Sequence, residues 1–312
     1  MSIPEQHQIQ VSAIIVSYNT RDVTLQCLEA LGRELCEISS EILVVDNASR
    51  DGSVQAIRDR FPMAYVISNS SNLGFGAANN QAMRCARGEQ YLLLNSDTFL
   101  LPGSVKAMIQ TLQDYPAAGV VGPSLIYPNG CFQRSCFTFP SPGKAWLECL
   151  GLLRLFTRPE RKPSPQTDRR IVPWLIGACL LLRREVYERV GGFDEHFFMY
   201  GEETDWEYRI RKTGYEIFFE PAAEAMHLAG SSRPAEHESF NPFFYSGQDR
   251  YYRKHFGPAG FLSYRLAMIV GCILRLSAWS CAALVSTNVR EQVTPKCKFR
   301  KNILRWQLSH WL

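Results

Sequence analysis

Residues 1–125 of this chain alternate between short apolar runs and segments whose apolar residues recur at helical spacing. The apolar runs cover residues 11–16, 42–45, 65–67 and 91–94. Near-continuous apolar strands that alternate with helices are typical of a mostly parallel sheet with helices on both faces. The pattern therefore predicts an α/β fold that binds a ligand at the carboxyl ends of its strands.

Polar side chains follow three of these runs, at the point where each strand is expected to end. They include Asn19 after the first run, Asp46 after the second and Asp97 after the fourth. Because the carboxyl ends of parallel strands meet at one edge of a sheet, we expect these side chains to face a common site.

The composition is that of a globular protein and excludes several other classes. Hydrophobic residues make up 46% of the chain and charged residues 21%, which argues against disorder. The net charge of +4, without interleaved basic and aromatic residues, gives no indication of nucleic-acid binding. Ten cysteines without a Cys-x-x-Cys pair disfavour a zinc module and a disulfide framework. Several, such as Cys179 and Cys272, sit in apolar runs and are expected to be buried free thiols, which fits a reducing compartment.

Asp46 has two interpretations. Its carboxylate can accept a hydrogen bond from a nucleobase N–H or from a ribose hydroxyl. It can equally form an Asx-turn, because the following Ser49 is suited to cap the next helix.

The segment 72–76 begins like a dinucleotide-binding glycine motif, but Asn79 stands where the last glycine belongs. Gly74 and Gly76 therefore indicate a tight turn and the close approach of a ligand. Asn79 would then face a nucleotide from the first turn of the following helix.

The segment Asn95-Ser96-Asp97 has two oxygen-bearing side chains two residues apart at a strand end. A hard cation such as Mg²⁺ or Mn²⁺ binds few protein oxygens and completes its shell with a diphosphate. All three residues also form turns, and the sequence alone leaves both interpretations open. His227 is a further possible ligand, although a lone histidine is more often structural.

Three carboxylates, Glu202, Glu203 and Asp205, lie close together among aromatic residues. A carboxylate beside apolar walls has a raised proton affinity, which suits a general base. The alternative is a helix start, where acidic residues interact favourably with the helix dipole and Asp205 pairs with Arg209.

Residues 262–285 are apolar and long enough to span a bilayer, but they contain Arg265 and Arg275. Residues 290–312 are strongly basic. An interfacial helix that is held to anionic lipid by this tail is the preferred prediction; a spanning helix and a buried helix remain the alternatives. Residues 1–10 resemble no cleavable signal, so we expect the cytoplasmic side of the membrane.

Together these pieces resemble glycosyltransferase family 2, the inverting enzymes with a GT-A fold, and within it the rhamnosyltransferase-like branch that builds bacterial surface polysaccharides. The similarity runs in family order over residues 10–230. The segments that carry it are Val16–Asn19, Val44–Ser49, Asn72–Gly76, Leu94–Asp97, Gly191–Glu195 and Gly201–Trp206, with Arg209 and His227.

The resemblance implies a role for each candidate residue. Asp46 would bind a uracil or thymine base. Asp97 and His227 would bind the metal. Glu203 would act as the base that deprotonates the acceptor hydroxyl. Asn95 stands where the family's DxD motif commonly has aspartate, and the base could instead be Glu202 or Asp205. The residues expected to bind the nucleotide-sugar are Ser17, Tyr18, Asn19, Asp46, Gly74, Asn79, Asn95 and Ser96.

The predicted organisation is a GT-A domain over residues 1–255 and a membrane-associated C-terminal segment over residues 256–312. Residues 10–125 would be the nucleotide-binding half and residues 126–255 the acceptor and catalytic half. The proline-rich stretch 128–170 reads as an insertion. The expected partners are a dTDP- or UDP-sugar donor, a glycan or lipid-linked acceptor and the membrane surface. A sugar nucleotidyltransferase and a non-catalytic nucleotide-binding scaffold are the alternatives.

Overall fold

The structure is a computed structural model that describes residues 8–152, 168–229, 240–284 and 287–310. The chain forms two compact units. The first, here called the sheet unit, consists of Met1–Phe139 and Pro163–Pro234. The second, here called the helical unit, consists of Pro140–Lys162 and Ala235–Leu312. Residues 153–167, which belong to the insertion predicted over residues 128–170, lie outside the described residues.

A mixed sheet, ten-stranded in the described residues, forms the centre of the sheet unit. The strands of the chain are β1 (Val11–Ser17), β2 (Ser40–Asp46), β3 (Tyr65–Ser68), β4 (Gln90–Asn95), β5 (Thr98–Leu100), β6 (Ala118–Ile126), β7 (Phe132–Gln133), β8 (Cys136–Phe137), β9 (Arg170–Val172), β10 (Trp174–Leu175), β11 (Cys179–Arg183) and β12 (Glu216–His227). The order in the large sheet is β3-β2-β1-β4-β11-β6-β12-β5; β7 lies beside β6, β9 lies beside β12, and β8 pairs separately with β10.

The amino-terminal strands are parallel and coincide with the four apolar runs. β1 pairs in parallel with both β2 and β4, and its central residue Ile14 is fully buried. β11 returns antiparallel between β4 and β6, so the sheet is parallel at one end and mixed beyond β4. Apolar runs predict that a strand is buried, but they carry no information on its direction.

Helices cover both faces of the sheet, as predicted. The helices in the described part of the chain are α1 (Arg21–Leu35), α2 (Ser53–Arg60), α3 (Phe75–Cys85), α4 (Ser104–Asp114), α5 (Pro142–Cys149), α6 (Arg184–Val190), α7 (Glu202–Lys212), α8 (Pro242–Ala282) and α9 (Thr287–Ser309). Successive side chains of a strand point to opposite faces. Ile15 accordingly packs in the apolar layer that contains Leu28 of α1, whereas Ile14 packs in the layer that contains Trp206 of α7.

The helical unit contains α5, α8 and α9. Tyr245, Cys272 and Ile303 form its buried apolar cluster. Helix α8 bends where Gly257 adopts a positive φ of 65° and Pro258 follows without a backbone donor. Within the described residues, α8 is the one helix whose length and composition would allow it to cross a membrane.

Residues 255 and 256, where the sequence analysis divides the chain, both lie within α8. The division of roles between residues 1–255 and 256–312 stays a prediction. The same holds for the nucleotide-binding and acceptor halves.

Candidate active site

A cavity of about 290 Å³ opens at the carboxyl ends of β1 and β4. The parallel register sets Val16 beside Asn95 and Ser17 beside Asp46, so the polar residues after these strands meet at one edge of the sheet. Seven of the predicted site residues line the cavity. They are Tyr18, Asn95, Ser96, Asp97, Glu202, Glu203 and His227.

Asp97 and His227 meet in the wall of this cavity. Strand β12 pairs antiparallel with β5 so that His227 lies opposite Thr98, the residue after Asp97. The His227 Nε2 atom is 3.4 Å from Asp97 Oδ1, and both residues are largely buried. The other ring nitrogen, Nδ1, lies 3.2 Å from the side-chain oxygen of Gln133, which orients the imidazole.

The geometry of this pair fits a divalent cation. Two neighbouring ligands of an octahedral metal at about 2.1 Å are about 3 Å apart, close to the distance found here. Asn95 Oδ1 is buried without a hydrogen-bond partner among the described residues, which leaves it available as a polar group at the same edge. The described residues contain no cluster of three or more His, Cys, Asp or Glu side chains suited to a metal. Further ligands of a bound cation would therefore come from a substrate or from water.

Helix α7 brings Glu202 and Glu203 to the cavity. It begins after Gly201, which has a φ of 91°, and the Gly201 N–H donates to Glu203 Oε2 at 3.2 Å. Burial raises the pKa of the Glu202 carboxyl well above its ordinary value, and the charge of Glu203 raises it further. Burial also raises the pKa of Glu203, although backbone N–H donors partly offset the effect.

Asp205 lies outside the cavity. It is fully buried and pairs with Arg209 through an Oδ2–Nε contact of 2.9 Å. Arg209 also donates to the carbonyl oxygens of Val190 and Gly192, so the pair fastens α7 to the loop that precedes it. Of the three acidic residues in this segment, the structure brings only Glu202 and Glu203 together at the site.

Glu207 is a buried carboxyl that the sequence analysis did not single out. Its Oε2 accepts a hydrogen bond of 2.9 Å from the Leu175 N–H, and burial raises its pKa well above the ordinary value. The bond fixes the end of β10, and the residues that directly follow it, Ile176 and Gly177, line the cavity. The position was readable from the sequence, since residues i and i+4 of a helix share a face and Glu207 follows Glu203 at that spacing.

Asp46 is almost fully buried at the end of β2. Its Oδ1 accepts a 2.9 Å hydrogen bond from the Ser49 N–H, and its Oδ2 has no partner among the described residues. The neighbouring Asn47 was overlooked as a site residue. It lines the cavity and donates to Asn72 Oδ1 and to the Gly74 carbonyl, so it fixes the loop that enters α3.

Gly74 permits a close approach that no other residue would allow. It has a φ of 88°, and a Cβ built there would clash with the carbonyl oxygen of Phe198. Asn79, which was expected to face a nucleotide, donates instead to the Phe75 carbonyl at 3.0 Å and does not line the cavity. Asn79 lies about one turn into α3, so its side chain would have to extend back toward the strand ends to reach the site. The Phe75 carbonyl of the same helix is nearer and accepts its hydrogen bond.

The remaining candidates lie at the end of β1 and in the loop directly after it. Ser17 is buried outside the cavity, with its hydroxyl 3.0 Å from that of Thr24. Asn19 is exposed with a φ of 51°, and its Oδ1 accepts a hydrogen bond from the Arg50 N–H. Tyr18, between them, is 42% exposed and lines the cavity. The three consecutive residues thus point to three different environments.

Comparison with known proteins adds independent information. The sequence model described as Glycosyl transferase family 2 matches residues 12–191. The chain is 33% identical over 214 residues to the N-acetylglucosaminyl-diphospho-decaprenol L-rhamnosyltransferase of Mycobacterium tuberculosis, an alignment that covers 63% of this chain and 70% of the relative. It is 27% identical over 262 residues to the O-antigen biosynthesis protein RfbC of Myxococcus xanthus, covering 78% of this chain and 20% of that protein.

Two solved structures share the fold. A mannosyltransferase from Pyrobaculum calidifontis, in complex with GDP-Man and Mn²⁺, superimposes with a TM-score of 0.55 at 17% identity, over 97% of this chain and 88% of its own. GalNAc-T7 with UDP, GalNAc and Mn²⁺ superimposes with a TM-score of 0.61 at 14% identity, over 98% of this chain and 57% of its own. At these identities the likeness concerns the fold, and it agrees with the mixed sheet described above.

Proposed function

This chain belongs to glycosyltransferase family 2, and we propose that it moves a sugar, with rhamnose as the first candidate, from a nucleoside diphosphate donor to a lipid-linked or glycan acceptor with inversion. The family, the GT-A-like fold and the similarity to a rhamnosyltransferase make it a hexosyltransferase of the rhamnosyltransferase-like type. The observation that carries the proposal is the cavity in which Asp97, His227 and Glu203 meet at the strand ends.

The donor would lie along the ends of β1, β2 and β4. The unpartnered Oδ2 of Asp46 is suited to a base N–H, because a buried acceptor without a partner is costly and gains from a donor. Asn95 and Ser96 would contact the diphosphate. Asp97 and His227 would hold Mg²⁺ or Mn²⁺, which when bound would neutralise the charge that develops on the leaving diphosphate.

Glu203 is the proposed general base. Its carboxylate would take the proton of the acceptor hydroxyl as the acceptor oxygen bonds to the anomeric carbon and the bond to the diphosphate breaks. Attack from the side opposite the leaving group inverts the anomeric configuration. The raised pKa of Glu203 supports this role, because a base is most effective when its pKa lies near the working pH. Glu202 remains the alternative, whereas Asp205 is occupied by Arg209.

The acceptor side of the proposal rests on the relatives and on the helical unit. The mycobacterial relative is named for a lipid-linked diphosphate sugar, N-acetylglucosaminyl-diphospho-decaprenol, as its substrate. We extend this class of acceptor to the present chain and place the reaction at the cytoplasmic side of the membrane, with residues 262–285 as the region of membrane contact, peripheral or single-pass. No nucleic acid is expected to take part.

A donor panel tests the proposal. The purified full chain is incubated with dTDP-rhamnose, UDP-glucose or UDP-galactose, each with Mn²⁺ or with EDTA, and the released nucleotide is measured. A family 2 transferase releases a nucleoside diphosphate from one donor when metal is present, and NMR of the glycosylated acceptor gives its anomeric configuration. Formation of a nucleoside triphosphate and a sugar 1-phosphate from the donor and added pyrophosphate would point to a nucleotidyltransferase instead, and binding without turnover on any acceptor would point to a scaffold.

A further inference from the structure

Helix α8 presents an apolar stripe to solvent. Leu262, Leu266, Ile273 and Leu274 are each between 42% and 51% exposed. The first three recur at spacings of four and seven residues, which places them on one side of the helix, and Leu274 directly follows Ile273. Single exposed leucines are ordinary on a protein surface, but an aligned series over three turns is the pattern of a face that contacts another apolar phase.

The other sides of α8 are covered within the helical unit. Trp146 of α5 donates from Nε1 to the Ser263 hydroxyl at 3.1 Å, and a Cβ on Gly271 would press against Cys149. On another side, Cys272 packs with Ile303 of α9. Helices α5 and α9 therefore lie alongside α8, and the stripe is the side that they leave open.

Both arginines of the apolar segment form hydrogen bonds inside the same unit. Arg265 is fully buried and donates to Asp249 Oδ2 at 2.7 Å and to the Gln307 carbonyl at 2.6 Å. Arg275 donates to the carbonyl oxygens of Cys149 and Glu148. Arg265 thus connects α8 to α9, and Arg275 connects α8 to α5. Neither guanidinium belongs to the exposed stripe.

This packing is incompatible with a spanning helix. If α8 crossed the hydrocarbon region, α9 would have to enter it as well, because the two helices share Arg265 and the apolar cluster around Ile303. Helix α9 carries one acidic residue, Glu291, against six basic residues, and charged side chains at that depth are costly. The basic residues are Arg290, Lys296, Lys298, Arg300, Lys301 and Arg305.

The exposed face of α9 is cationic. Arg290, Lys298, Lys301 and Arg305 are exposed, and their spacing places them on one side of the helix. We propose that the helical unit binds the surface of an anionic lipid bilayer, with α8 lying in the membrane plane, its stripe of Leu262, Leu266, Ile273 and Leu274 inserted among the acyl chains, and the basic face of α9 contacting lipid phosphates. This mode of binding specifies the membrane contact proposed above as peripheral and excludes a single membrane-spanning helix. It rests on the proposed function only in that membrane binding would bring the enzyme to a lipid-linked acceptor.

Vesicle flotation tests the proposal on the full chain. The protein is mixed with phosphatidylcholine vesicles, with or without phosphatidylglycerol, and its partition is measured without any sugar donor. We expect binding that needs the anionic lipid and falls roughly tenfold or more in the double variant Leu266→Glu/Ile273→Glu, since each change removes an inserted aliphatic side chain. Lys298→Glu/Lys301→Glu should weaken binding and its dependence on anionic lipid.

Met63→Glu is the matched control. Met63 is 93% exposed in the sheet unit, so its replacement adds a glutamate away from the stripe and should leave partition unchanged. Circular dichroism confirms that each variant is folded. Unchanged binding of Leu266→Glu/Ile273→Glu would overturn the proposal, and so would a membrane-bound chain that resists alkaline carbonate extraction, because that is the behaviour of a spanning helix.

A second copy of the chain is the competing occupant of the stripe. Sedimentation velocity would then show a dimer that Leu266→Glu/Ile273→Glu separates, while wild-type chain fails to bind vesicles; that result would also overturn the proposal. Failure of sugar transfer with intact vesicle binding would count against the proposed function alone, because flotation requires no donor and no turnover.

Discussion

The imidazole Nε2 of His227 lies 3.4 Å from the carboxylate Oδ1 of Asp97, although the two residues belong to distant parts of the chain. The contact exists because β12, the last strand of the described sheet, pairs with the short β5 that directly follows Asp97. Asp97 and His227 line the same cavity as Asn95 and the carboxylates of α7. This arrangement is the strongest structural support for the proposed metal-dependent transfer.

Asp97→Asn should lower metal affinity and turnover by on the order of 100-fold, because the amide oxygen carries no charge for the cation. Calorimetric titration of Mn²⁺ in the presence of the nucleoside diphosphate measures the affinity directly. Asp59→Asn, a change at an exposed position of α2, is the control and should leave both quantities unchanged. Equal metal affinity in Asp97→Asn and wild type would rule out Asp97 as a ligand.

Glu203→Gln should reduce turnover about 10²–10⁴-fold while donor affinity is retained, because the amide cannot accept the acceptor's proton. Glu202→Gln is the informative comparison, since the two carboxyls lie side by side at the start of α7. If Glu202→Gln lost the larger share of turnover, the base assignment would move to Glu202. Binding of the donor is measured separately, by titration without acceptor.

The pH dependence of turnover should report the buried base. A general base acts in its deprotonated form, and burial raises the pKa of Glu203. Turnover should therefore rise with pH through a value above that of an ordinary glutamate, and the rise should be absent in Glu203→Gln. A rate that is already constant in the range where ordinary glutamates titrate would contradict this prediction.

Glu207→Gln should change stability in a pH-dependent way. Burial raises the pKa of Glu207 in the folded protein, so the folded state keeps a proton that the unfolded state has lost. The free energy of unfolding therefore falls as pH rises from the ordinary glutamate range through the raised pKa. Glutamine carries no such proton, and its advantage over wild type should grow with pH. Urea unfolding at several pH values measures this, with the exposed Glu185→Gln as the control; a constant difference would refute it.

Gly74→Ala should destabilise the protein more than a matched glycine replacement. Gly74 and Gly52 both have a positive φ, 88° and 81°, but Gly52 has a left-handed helical ψ of 12° whereas Gly74 has a ψ of 170° that is almost confined to glycine. Only at Gly74 would a Cβ meet the Phe198 carbonyl. Gly52→Ala should cost about 1–2 kcal/mol from its backbone conformation alone. Gly74→Ala should cost about 3 kcal/mol or more, because the clash adds to this strain. Equal midpoints in urea for the two variants would show that the loop relieves the clash.

Much of the fold was predictable from the alternation of apolar runs and helical segments. The four amino-terminal strands occur where the runs predicted them, and strands buried on both faces, such as β1 and β4, must be apolar throughout. The direction of β11 was not predictable, since strand direction depends on how the chain returns to the sheet. Residues 262–285 were recognised as apolar, but the partners of Arg265 lie on α9, and a linear pattern does not identify them.

Within the candidate site, position at a strand end predicted the cavity lining in part: Asn95, Ser96 and Asp97 line the cavity, whereas Ser17, Asn19 and Asp46 do not. Asp97 and Asn95 line the cavity because the ends of parallel strands share one edge. Asn79 and Asp205 were predicted at the site on residue type alone, and each instead satisfies a local partner, the Phe75 carbonyl and Arg209 respectively. Polar side chains one turn into a helix have such partners within reach, and composition does not reveal which one prevails.

The pairing of β12 with β5 also has a consequence for synthesis. A ribosome releases the chain from its amino terminus, so β1, β2 and β4 can assemble well before β12 has emerged. Until that last strand inserts, Asp97 has no histidine opposite it and the α7 carboxylates have no completed wall to face. The nascent chain therefore carries most of the sheet before Asp97 and His227 come together, and we expect the proposed metal site to be complete only when the sheet unit is finished.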